Sequence, residues 1–429
     1  MEETAFRTGA VRKAVERFLE MFIADFHIHS KYSRATSKNA NIENFSEWAK
    51  RKGVNLLGTA DFTHPDWLRE LKGKLEKVEY GLYRHKDIFY MLTCEVSNIY
   101  FKIGKVRKIH NIIFAPSFEA VDEINKLLSR YGNLYSDGRA ILKLESDNML
   151  KALGKIDKDI FVVPAHAWTP HFGLFGANSG FDSIEECFGD VTDKIYALET
   201  GLSSHPPMNW RWSALDRFSL ISNSDAHSPS KIGRETNVFK EKFGYEELIE
   251  ILKTKDRKKF LYTIEFFPQE GKYHWDGHRK CGVGLSPVES KNLNYSCPKC
   301  GAKVTIGVMN RVEKLCDRDE GFVLEGAPSY KSLVPLIEII ASSMKMGSQS
   351  QAVQKEYNTL IAKFGNEFEI LLNAPGERIE SECPPKIARG ILNVREGNVE
   401  VIPGYDGVYG KVNVYKEGED KKERQLGLF

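Results

Sequence analysis

The sequence lacks any long apolar run, and this absence limits where the protein can reside. No stretch approaches the roughly 18 consecutive apolar residues that a membrane-spanning helix needs. Near the N-terminus, Arg17 and Glu20 break up the segment around FLEMFIADF, which therefore does not have the pattern of a secretory signal. We expect a cytoplasmic protein.

Cysteine and net charge are also scarce. The 429 residues include seven cysteines, which in a cytoplasmic protein are better interpreted as metal ligands or core residues than as disulfides. Lysine and arginine number 61 against 59 aspartates and glutamates, which leaves a net charge of +2. Because the chain is not a polycation, any binding of nucleic acid must depend on local basic patches.

The sequence does contain a series of short apolar runs, separated by segments with helical or polar spacing. The runs are MFIADF, VNLLGTA, DIFYMLTCEV, HNIIFA, DIFVVPA, IYALET, FSLISNS and FLYTI. Strands that alternate with helices predict an α/β domain with a mostly parallel sheet. In such domains the chemistry gathers at the carboxyl ends of the strands.

Histidines and carboxylates stand at the ends of these predicted strands. His27 and His29 are two residues apart, and alternation along a strand directs both side chains to one face. His110 opens its run instead of ending it, and an antiparallel strand there would bring it back towards Glu95. The strand-end residues are His27, His29, Asp61, His64, Glu95, His166, Glu199, Asp225 and His227.

Several imidazoles together with carboxylates favour a cluster of divalent cations such as Zn²⁺, Mn²⁺ or Fe²⁺. Two or three such ions lower the pKa of a shared water and hold the oxygens of a phosphate. A cluster needs a bridging carboxylate, for which Glu95 is the candidate. Taken singly, each histidine is better explained as a core or surface residue. The paired HxH and DxH spacings favour the metal site instead.

A second metal site is predicted in a segment rich in Gly, Cys, His and Lys. Two pairs of ligands, each with two residues between its members, make a closed tetrahedral zinc site. His274 competes for the position of the fourth ligand. The predicted structural zinc ligands are His278, Cys281, Cys297 and Cys300.

The order of the motifs DFHIHS, EV, IHN, PAHA and SDAH resembles the polymerase and histidinol phosphatase (PHP) family. The resemblance implies a distorted (β/α)7 barrel with a centre of two or three metal ions that hydrolyses phosphoesters. The family usually has TDH where this chain has TADFTH, so Asp61 and His64 share that position, and Arg34 stands where an acidic residue often follows the HS motif. The implied catalytic residues are Glu95, Asp225 and His227. The implied metal ligands are His27, His29, Asp61, His64, Glu95, His110, His166, Asp225 and His227.

Longer motifs resemble the endonuclease Q family. They are GTADFTHPDW, ALETGLSSHPPMNWRWSALDRFSLISNSDAHSP and EGKYHWDGHRKCG with CPKCG. The resemblance implies a PHP barrel with a zinc module and a helical C-terminal part. It also implies a DNA repair enzyme that cuts double-stranded DNA on the 5′ side of deaminated bases (uracil, hypoxanthine, xanthine) and of abasic sites. The implied cofactors are Zn²⁺, Mn²⁺ or Mg²⁺ at the active site and one structural Zn²⁺, and the implied location is the nucleoid within the cytoplasm.

Two segments are candidate DNA contacts. In MNWRW the tryptophans would stack on an extruded base and the arginine would bind phosphate; the alternative is a packed tryptophan pair with a solvated arginine. KIGKVRK joins two predicted metal ligands and predicts a phosphate-binding loop, although many charge runs are only solvated. The predicted DNA-binding residues are Trp210, Arg211, Trp212, Lys105, Arg107 and Lys108.

The last residues, QLGLF, resemble a sliding-clamp-binding peptide on a charged tether. Gln425 would hydrogen-bond at the rim of a pocket while Leu428 and Phe429 fill an apolar groove. The alternative is a frayed apolar terminus. At the other end of the chain, VRKAVERFLEMF predicts a short amphipathic helix.

These patterns divide the chain into six segments. They are an N-terminal extension (1–20), the PHP barrel (21–267), a zinc-binding module (268–312), a helical region (313–383), a small mixed β region (384–416) and a charged tail with the clamp-binding-like peptide (417–429). Two alternative functions stay open. A PHP-type small-molecule phosphatase would need neither the zinc module nor the C-terminal helices, and a non-catalytic adaptor that binds lesion DNA would not need the near-complete set of ligands.

Overall fold

The computed structural model describes residues 21–416, so the clamp-binding-like peptide and all but the last two residues of the predicted N-terminal helix lie outside the described residues. Phe22, the last residue of that predicted helix, begins a strand. Strands β1 to β17 are, in chain order, Phe22–Asp25, Leu56–Gly58, Glu76–Glu79, Leu82–His85, Ile88–Lys102, Lys105–Ala115, Ala140–Leu142, Phe161–Pro164, Ala197–Glu199, Ser219–Ile221, Thr236–Phe239, Phe260–Glu265, Asp276–His278, Val283–Leu285, Ser329–Ser332, Glu400–Ile402 and Lys411–Asn413. The α-helices are Ile42–Lys52, Pro65–Lys74, Phe118–Leu128, Ser146–Ile156, Ile184–Phe188, Pro206–Trp210, Tyr245–Thr254, Pro287–Asn292, Val308–Leu315, Leu336–Met344, Gln351–Phe364, Gly376–Glu382 and Pro385–Arg395.

The large sheet is mixed, whereas the sequence predicted a mostly parallel one. Strands β1, β2 and β5 are parallel neighbours, but β5 pairs antiparallel with β6, β6 with β8, and β1 with β11. The reason lies in the connection between β5 and β6, where Ile103 and Gly104 both have positive φ (50° and 73°) and form a two-residue turn. Such a turn reverses the chain directly and leaves no crossover helix. The chain nevertheless has the predicted α/β fold.

The loops after β1 and β10 are held side by side. His29 donates its backbone N–H to the carbonyl of Ala226 at 2.9 Å, and Phe26 donates its own to Oδ1 of Asn223 at 2.9 Å. The HxH motif after β1 therefore lies next to the SDAH motif after β10, although about 200 residues separate them in the sequence.

The helix Ile42–Lys52 shows why the outer helices form where they do. Asn41 caps its start by accepting a hydrogen bond from the backbone of Asn44, and Gly53 ends it in the left-handed conformation with φ 88°. Its buried face consists of Ile42, Phe45, Ser46, Ala49 and Lys52. This helix packs on β4 and β5 of the large sheet.

The C-terminal helices share a hydrophobic core with the α/β part, because one cluster of buried side chains contains both Trp67 and Ile391. The helix Pro385–Arg395 lies within the segment that was predicted as a small mixed β region, and the predicted short strands follow it as the antiparallel pair β16 and β17. Of the helices within residues 21–416, none is both long and apolar enough to cross a membrane.

Candidate metal centre

Seven of the predicted metal ligands converge. Five come from the segments that follow β1, β8 and β10, and two, Glu95 and His110, come from within β5 and β6. The seven residues form three overlapping groups in which the ligand atoms all lie within 4.8 Å of one another. Glu95 and His29 each belong to two groups, so the three groups are continuous. The groups are His27, His29 and Glu95; His29, Asp225 and His227; and Glu95, His110 and His166.

Glu95 lies at the centre of this arrangement. Its Oε1 is 2.7 Å from Nδ1 of His110 and 2.9 Å from Nε2 of His166, and its Oε2 is 3.3 Å from Nε2 of His29. Burial alone would raise the pKa of Glu95, but the charge of His27 and the hydrogen bonds from His110 and His166 hold it well below its usual range. Glu95 is therefore an ionised carboxylate with both oxygens directed at imidazoles, as a bridging ligand requires.

His110 reaches Glu95 from the antiparallel strand β6, as predicted. Ser97 stands opposite His110 in the ladder between β5 and β6, and its hydroxyl lies 2.7 Å from Nε2 of His110. Burial lowers the pKa of His110 to about 4. A neutral imidazole is the form that binds a metal.

The buried polar atoms at the centre fit a group of divalent cations. Nε2 of His27, Nε2 of His29 and Oδ1 of Asp225 are buried and make no hydrogen bond. Buried polar atoms almost always have partners, so three such atoms directed at one another indicate a site for a ligand that accepts electron pairs. Imidazole nitrogen and carboxylate oxygen suit zinc, manganese or iron.

Carboxylates behind the two histidines fix the direction of their rings. Nδ1 of His27 lies 3.0 Å from Oε1 of Glu199, and Nδ1 of His29 lies 3.1 Å from Oδ1 of Asp61. Each contact leaves Nε2 free to face the centre, which is the usual arrangement behind metal-binding histidines. Glu199 was recognised in the sequence only as a strand-end residue and was not included among the site residues. Its strand-end position was the available signal.

Asp61 and His64 do not join the three groups. The second oxygen of Asp61 accepts hydrogen bonds from the backbone of Ser30 at 2.7 Å and from the hydroxyl of Ser33 at 2.9 Å, so Asp61 supports His29 from behind. The ring of His64 stacks on Tyr32 at 4.3 Å between centroids. Neither residue belongs to the three groups, and their direct ligand role stays a prediction.

Strained backbone concentrates at the centre. Asp61, His166 and Asp225 all have positive φ, at 35°, 31° and 47°. Residues other than glycine adopt such values at an energetic cost, and they persist where the surrounding structure enforces them, often at functional sites. The strain aims these side chains, and the sequence carries no signal for it.

A cavity of about 500 Å³ opens over the centre. Arg139 lines it and places Nη1 3.1 Å from Oε2 of Glu95, and the ring of Phe172 lies 4.3 Å from that of His110. Sequence reasoning missed Arg139, because it sits between motifs in a segment without a distinctive pattern. Its walls include Arg34, His110, Arg139, Ile141, His166 and Phe172.

The segment MNWRW does not face this cavity. Trp210, Arg211 and Trp212 are buried, with exposed fractions of 6%, 7% and 8%. Trp212 packs on Phe175 at 4.9 Å, and Arg211 binds the carboxylate of Glu313 at 2.7 Å. The burial of both tryptophans argues against the predicted stacking on an extruded base and agrees with the packed alternative, but Arg211 is buried where that alternative expected a solvated side chain.

The three predicted DNA contacts on β6 separate into two kinds. Arg107 is buried, donates to the carbonyls of Lys102 and Gly180, and does not face solvent. Lys105 is exposed, and Lys108 extends over the ring of Phe172 with Nζ 5.7 Å from its centroid. Only the two lysines are placed to meet a phosphate backbone.

The four side chains that were predicted as structural zinc ligands form a second group of possible metal ligands. His278, Cys281, Cys297 and Cys300 bring their ligand atoms within 4.8 Å of one another. Burial raises the pKa of Cys297, but the backbone N–H groups of residues 299 and 300 outweigh it and lower the pKa to about 6, which favours a thiolate. His274, the competing ligand, is not a member of this group.

Comparison with known proteins places this geometry in context. Residues 335–398 match the family described as the MJ0043 C-terminal domain. The protein MJ0043 of Methanocaldococcus jannaschii is 33% identical over 290 residues, which are 66% of this chain and 35% of that protein, so the match spans about a third of that relative. The protein YqxK of Bacillus subtilis is 29% identical over 412 residues, which are 92% of this chain and 100% of that protein.

Two solved structures resemble almost the whole chain. The lesion-specific endonuclease PfuEndoQ from Pyrococcus furiosus has a TM-score of 0.83 and 31% identity, and the match covers 94% of this chain and 99% of that one. A complex of endonuclease Q with a 27-mer duplex substrate that carries an abasic lesion at the active site has a TM-score of 0.81 and 32% identity, and covers 93% and 99%.

Proposed function

The chain belongs to the endonuclease Q family, and from that premise we propose that it is a DNA repair endonuclease. It hydrolyses the phosphodiester bond 5′ to deaminated bases and abasic sites and leaves 3′-hydroxyl and 5′-phosphate ends. The observation that carries the proposal is the convergence of seven imidazole and carboxylate side chains beneath one open cavity.

We interpret seven strands, β1, β2, β5, β6, β8, β9 and β10, as a distorted PHP barrel. Hydrogen-bonded ladders join neighbouring strands in this order, except at two junctions, between β8 and β9 and between β10 and β1. At the first, Ala167 after β8 donates its backbone N–H to the carbonyl of Glu199 at the end of β9, at 2.9 Å. At the second, the bond from His29 to Ala226 connects the loops after β1 and β10. Both junctions support a closed ring.

In this proposal His27, His29, Glu95 and the other members of the three groups hold divalent cations. When bound, such ions supply an activated water at neutral pH and stabilise the charge that develops on a phosphate. The side chains of the protein determine where this happens. Glu199 and Asp61 hold the two imidazoles of the HxH motif in one orientation, and Glu95 joins the adjacent groups.

Arg139 supplies positive charge beside these groups. Burial would lower the pKa of its guanidinium, but Glu95 outweighs burial and raises it, so the group stays charged. A guanidinium has several donors in a fixed plane and can bind a phosphate oxygen while it keeps its contact with a carboxylate. We assign it to the phosphate that enters the cavity.

The lesion enters as an extruded nucleotide, because a base that is stacked and paired inside a duplex cannot enter a cavity of this kind. Deaminated bases pair weakly, which lowers the cost of extrusion and contributes to selectivity. Phe172, on the wall of the cavity, offers a ring on which a base can stack.

Two further sites complete the proposal. The cluster of His278 and the three cysteines would hold a structural Zn²⁺ and keep its segment folded. The C-terminal peptide with Gln425, Leu428 and Phe429 would bind a sliding clamp.

A single gel tests the main proposal. Duplexes that carry uracil, hypoxanthine, an abasic site or no lesion are incubated with the protein, with and without a chelator. We expect metal-dependent cleavage 5′ to each lesion and intact control duplex. If the protein instead hydrolyses p-nitrophenyl phosphate and leaves all duplexes intact, it is a small-molecule phosphatase.

The variant Asp225→Asn provides the matched test of the centre. It removes a charged ligand without changing the size of the side chain, so we expect no cleavage above that of a chelator-treated sample, with the fold and the DNA affinity retained. Asp122→Asn, which changes only an exposed pair with Lys72, is the control. Cleavage by Asp225→Asn at the rate of the unchanged protein would overturn the assignment of the centre.

A further inference from the structure

The hairpin of β5 and β6 extends beyond the candidate metal centre as a two-stranded ribbon. In its ladder Ser97 stands opposite His110, Ile99 opposite Lys108, and Phe101 opposite Val106. Because side chains alternate along a strand, residues 95, 97, 99 and 101 share one face, and residues 106, 108 and 110 share it with them. The face that carries Glu95 and His110 at the centre therefore carries Phe101 and Val106 at the tip.

The tip is apolar and uncovered. Phe101, Ile103 and Val106 have exposed fractions of 68%, 58% and 51%. A single exposed apolar residue is ordinary, but three on one turn form a contiguous patch that usually marks an interaction site. We call these three residues the hairpin tip.

The other face of the ribbon is firmly attached to the protein. Arg107 lies over the ring of Phe181 at 4.0 Å, and Tyr100 places its hydroxyl 3.3 Å from that of Ser146. Lys102 binds the carboxylate of Asp147 at 2.8 Å. The ribbon is thus anchored along one side, so its tip keeps a fixed position relative to the centre.

The hairpin tip is continuous with the cavity in both position and charge. Phe101 lies four residues beyond Ser97, which corresponds to about 13 Å along a strand. Lys108 stands between tip and cavity on the shared face, and Lys105 flanks the turn. Lysines beside an apolar projection suit a surface that carries phosphates around a stack of bases.

We propose that the hairpin tip inserts into the base stack of the duplex beside the lesion and occupies the space that the extruded nucleotide leaves. This inference rests on the proposed function and names the residues that separate the bases. Apolar side chains at the end of a rigid element unstack base pairs in other DNA-bending proteins. Here the anchored ribbon aims them at the step next to the phosphate held over Glu95 and His110.

The test compares paired with unpaired substrates. Phe101→Ala/Val106→Ala is assayed on a duplex with a uracil·adenine pair and on the same strand with the uracil in an unpaired bubble. We expect cleavage of the paired duplex to slow by roughly tenfold or more, because extrusion loses its replacement for stacking, while cleavage of the bubble stays within about threefold of the unchanged protein. Retained cleavage of the bubble also shows that the variant is folded.

Val78→Ala is the matched control. Val78 is 42% exposed on β3, which joins the far end of β5 through β4, away from the tip. We expect this variant to cut both substrates normally. A 2-aminopurine placed next to the uracil gives a second readout. Its fluorescence should rise when the unchanged protein binds and rise less with the double variant.

Several results would overturn the inference. Equal rates for the double variant and the unchanged protein on the paired duplex would do so, and so would an equal loss on both substrates. A change of oligomeric mass in the variant with cleavage unaffected would assign the tip to a contact between copies of the chain. If the unchanged protein cuts neither substrate, the proposed function itself fails, and that outcome is distinct from the others.

Discussion

At the scale of single residues, Glu199 contributes to the candidate metal centre without belonging to any of its three groups. Its carboxylate accepts hydrogen bonds from the ring of His27, from the backbone N–H of His166 at 2.7 Å and from the side-chain amide of Asn223 at 2.8 Å. One carboxylate thus fixes residues from three different loops. Its loss should affect metal binding through orientation and basicity of His27 and not through a lost ligand.

We predict that Glu199→Gln lowers the affinity for the catalytic cations by about 10- to 100-fold. The amide keeps an acceptor but loses the charge behind His27. Metal content after dialysis measures the effect, and excess Mn²⁺ should restore cleavage. Glu119→Gln, at an exposed helix start, is the control. Unchanged metal content in Glu199→Gln would show that Glu199 does not support the centre.

Two other carboxylates, Glu235 and Glu265, are fully buried. Burial raises the pKa of Glu265 from its ordinary 4.5 to about 7, and the charge of Glu199 nearby adds to this shift. Burial and the charge of Glu265 likewise raise the pKa of Glu235. The hydroxyl of Thr200 donates to Glu265 at 3.0 Å. The folded protein therefore keeps a proton on this pair that the unfolded chain releases.

The sign of the pH dependence follows from this difference. Between pH 4.5 and about 7 the folded state binds more protons at Glu265 than the unfolded state, so the free energy of unfolding falls as pH rises. The variant Glu265→Gln mimics the protonated form. We predict that its free energy of unfolding equals that of the unchanged protein below pH 4.5 and exceeds it at pH 8 by up to about 3 kcal/mol. Urea unfolding at both pH values, with the exposed Glu250→Gln as control, measures it. A constant difference across pH would contradict the raised pKa of Glu265.

At the scale of elements, the strand-end histidines and the antiparallel return of His110 could be predicted from the sequence. Both follow from local rules. Side chains alternate along a strand, so His27 and His29 share a face. His110 stands at the start of its apolar run, so only an antiparallel strand brings it towards Glu95. The ladder between β5 and β6 confirms the return, with Ser97 opposite His110.

Burial of the MNWRW segment could not be predicted in the same way. Aromatic and basic residues that alternate suit either a DNA contact or a packed core, and the choice depends on partners far away in the sequence. Glu313 neutralises Arg211 and Phe175 packs on Trp212. Arg139 was missed for the related reason that its contact with Glu95 spans 44 residues.

The cysteine element allows a prediction of its own. We expect Cys300→Ser to lose bound zinc and to expose the segment around β13 and β14 to hydrogen exchange and proteolysis, because little apolar packing remains there without the metal. Cys316→Ser, outside the cluster, should keep its zinc. Zinc content and exchange mass spectrometry are the measurements. Full protection of β13 and β14 in a zinc-free Cys300→Ser would contradict a structural role.

At the scale of the whole molecule, a buried ion pair joins the C-terminal helices to the α/β part. Nζ of Lys52, at the end of the helix Ile42–Lys52, lies 2.7 Å from Oε2 of Glu367, and both side chains are only 4% exposed. The hydroxyl of Tyr357 donates to the same carboxylate at 2.8 Å, and the backbone of Leu336 donates to its other oxygen at 3.0 Å. Glu367 therefore ties two C-terminal helices to a helix that packs on the large sheet.

Such a pair adds little net stability, because desolvation offsets much of the attraction. Removal of one partner is different, since it leaves a buried charge alone. We predict that Lys52→Met destabilises the protein by about 3–5 kcal/mol, whereas Lys52→Met/Glu367→Gln recovers most of this loss. In the double variant the amide oxygen can accept from the backbone of Leu336 and the amide N–H can donate to the hydroxyl of Tyr357, without a buried charge.

Thermal unfolding of Lys52→Met and of the double variant, with Lys50→Met as control, tests this prediction. Lys50 pairs with Asp87 at 3.1 Å, but its side chain is 67% exposed, so its loss should cost less than about 1 kcal/mol. If Lys52→Met unfolds in two steps, the C-terminal helices detach first and the pair acts as their anchor. If it unfolds in one step at the temperature of the Lys50→Met control, the apolar core shared by the two parts holds them together without the pair.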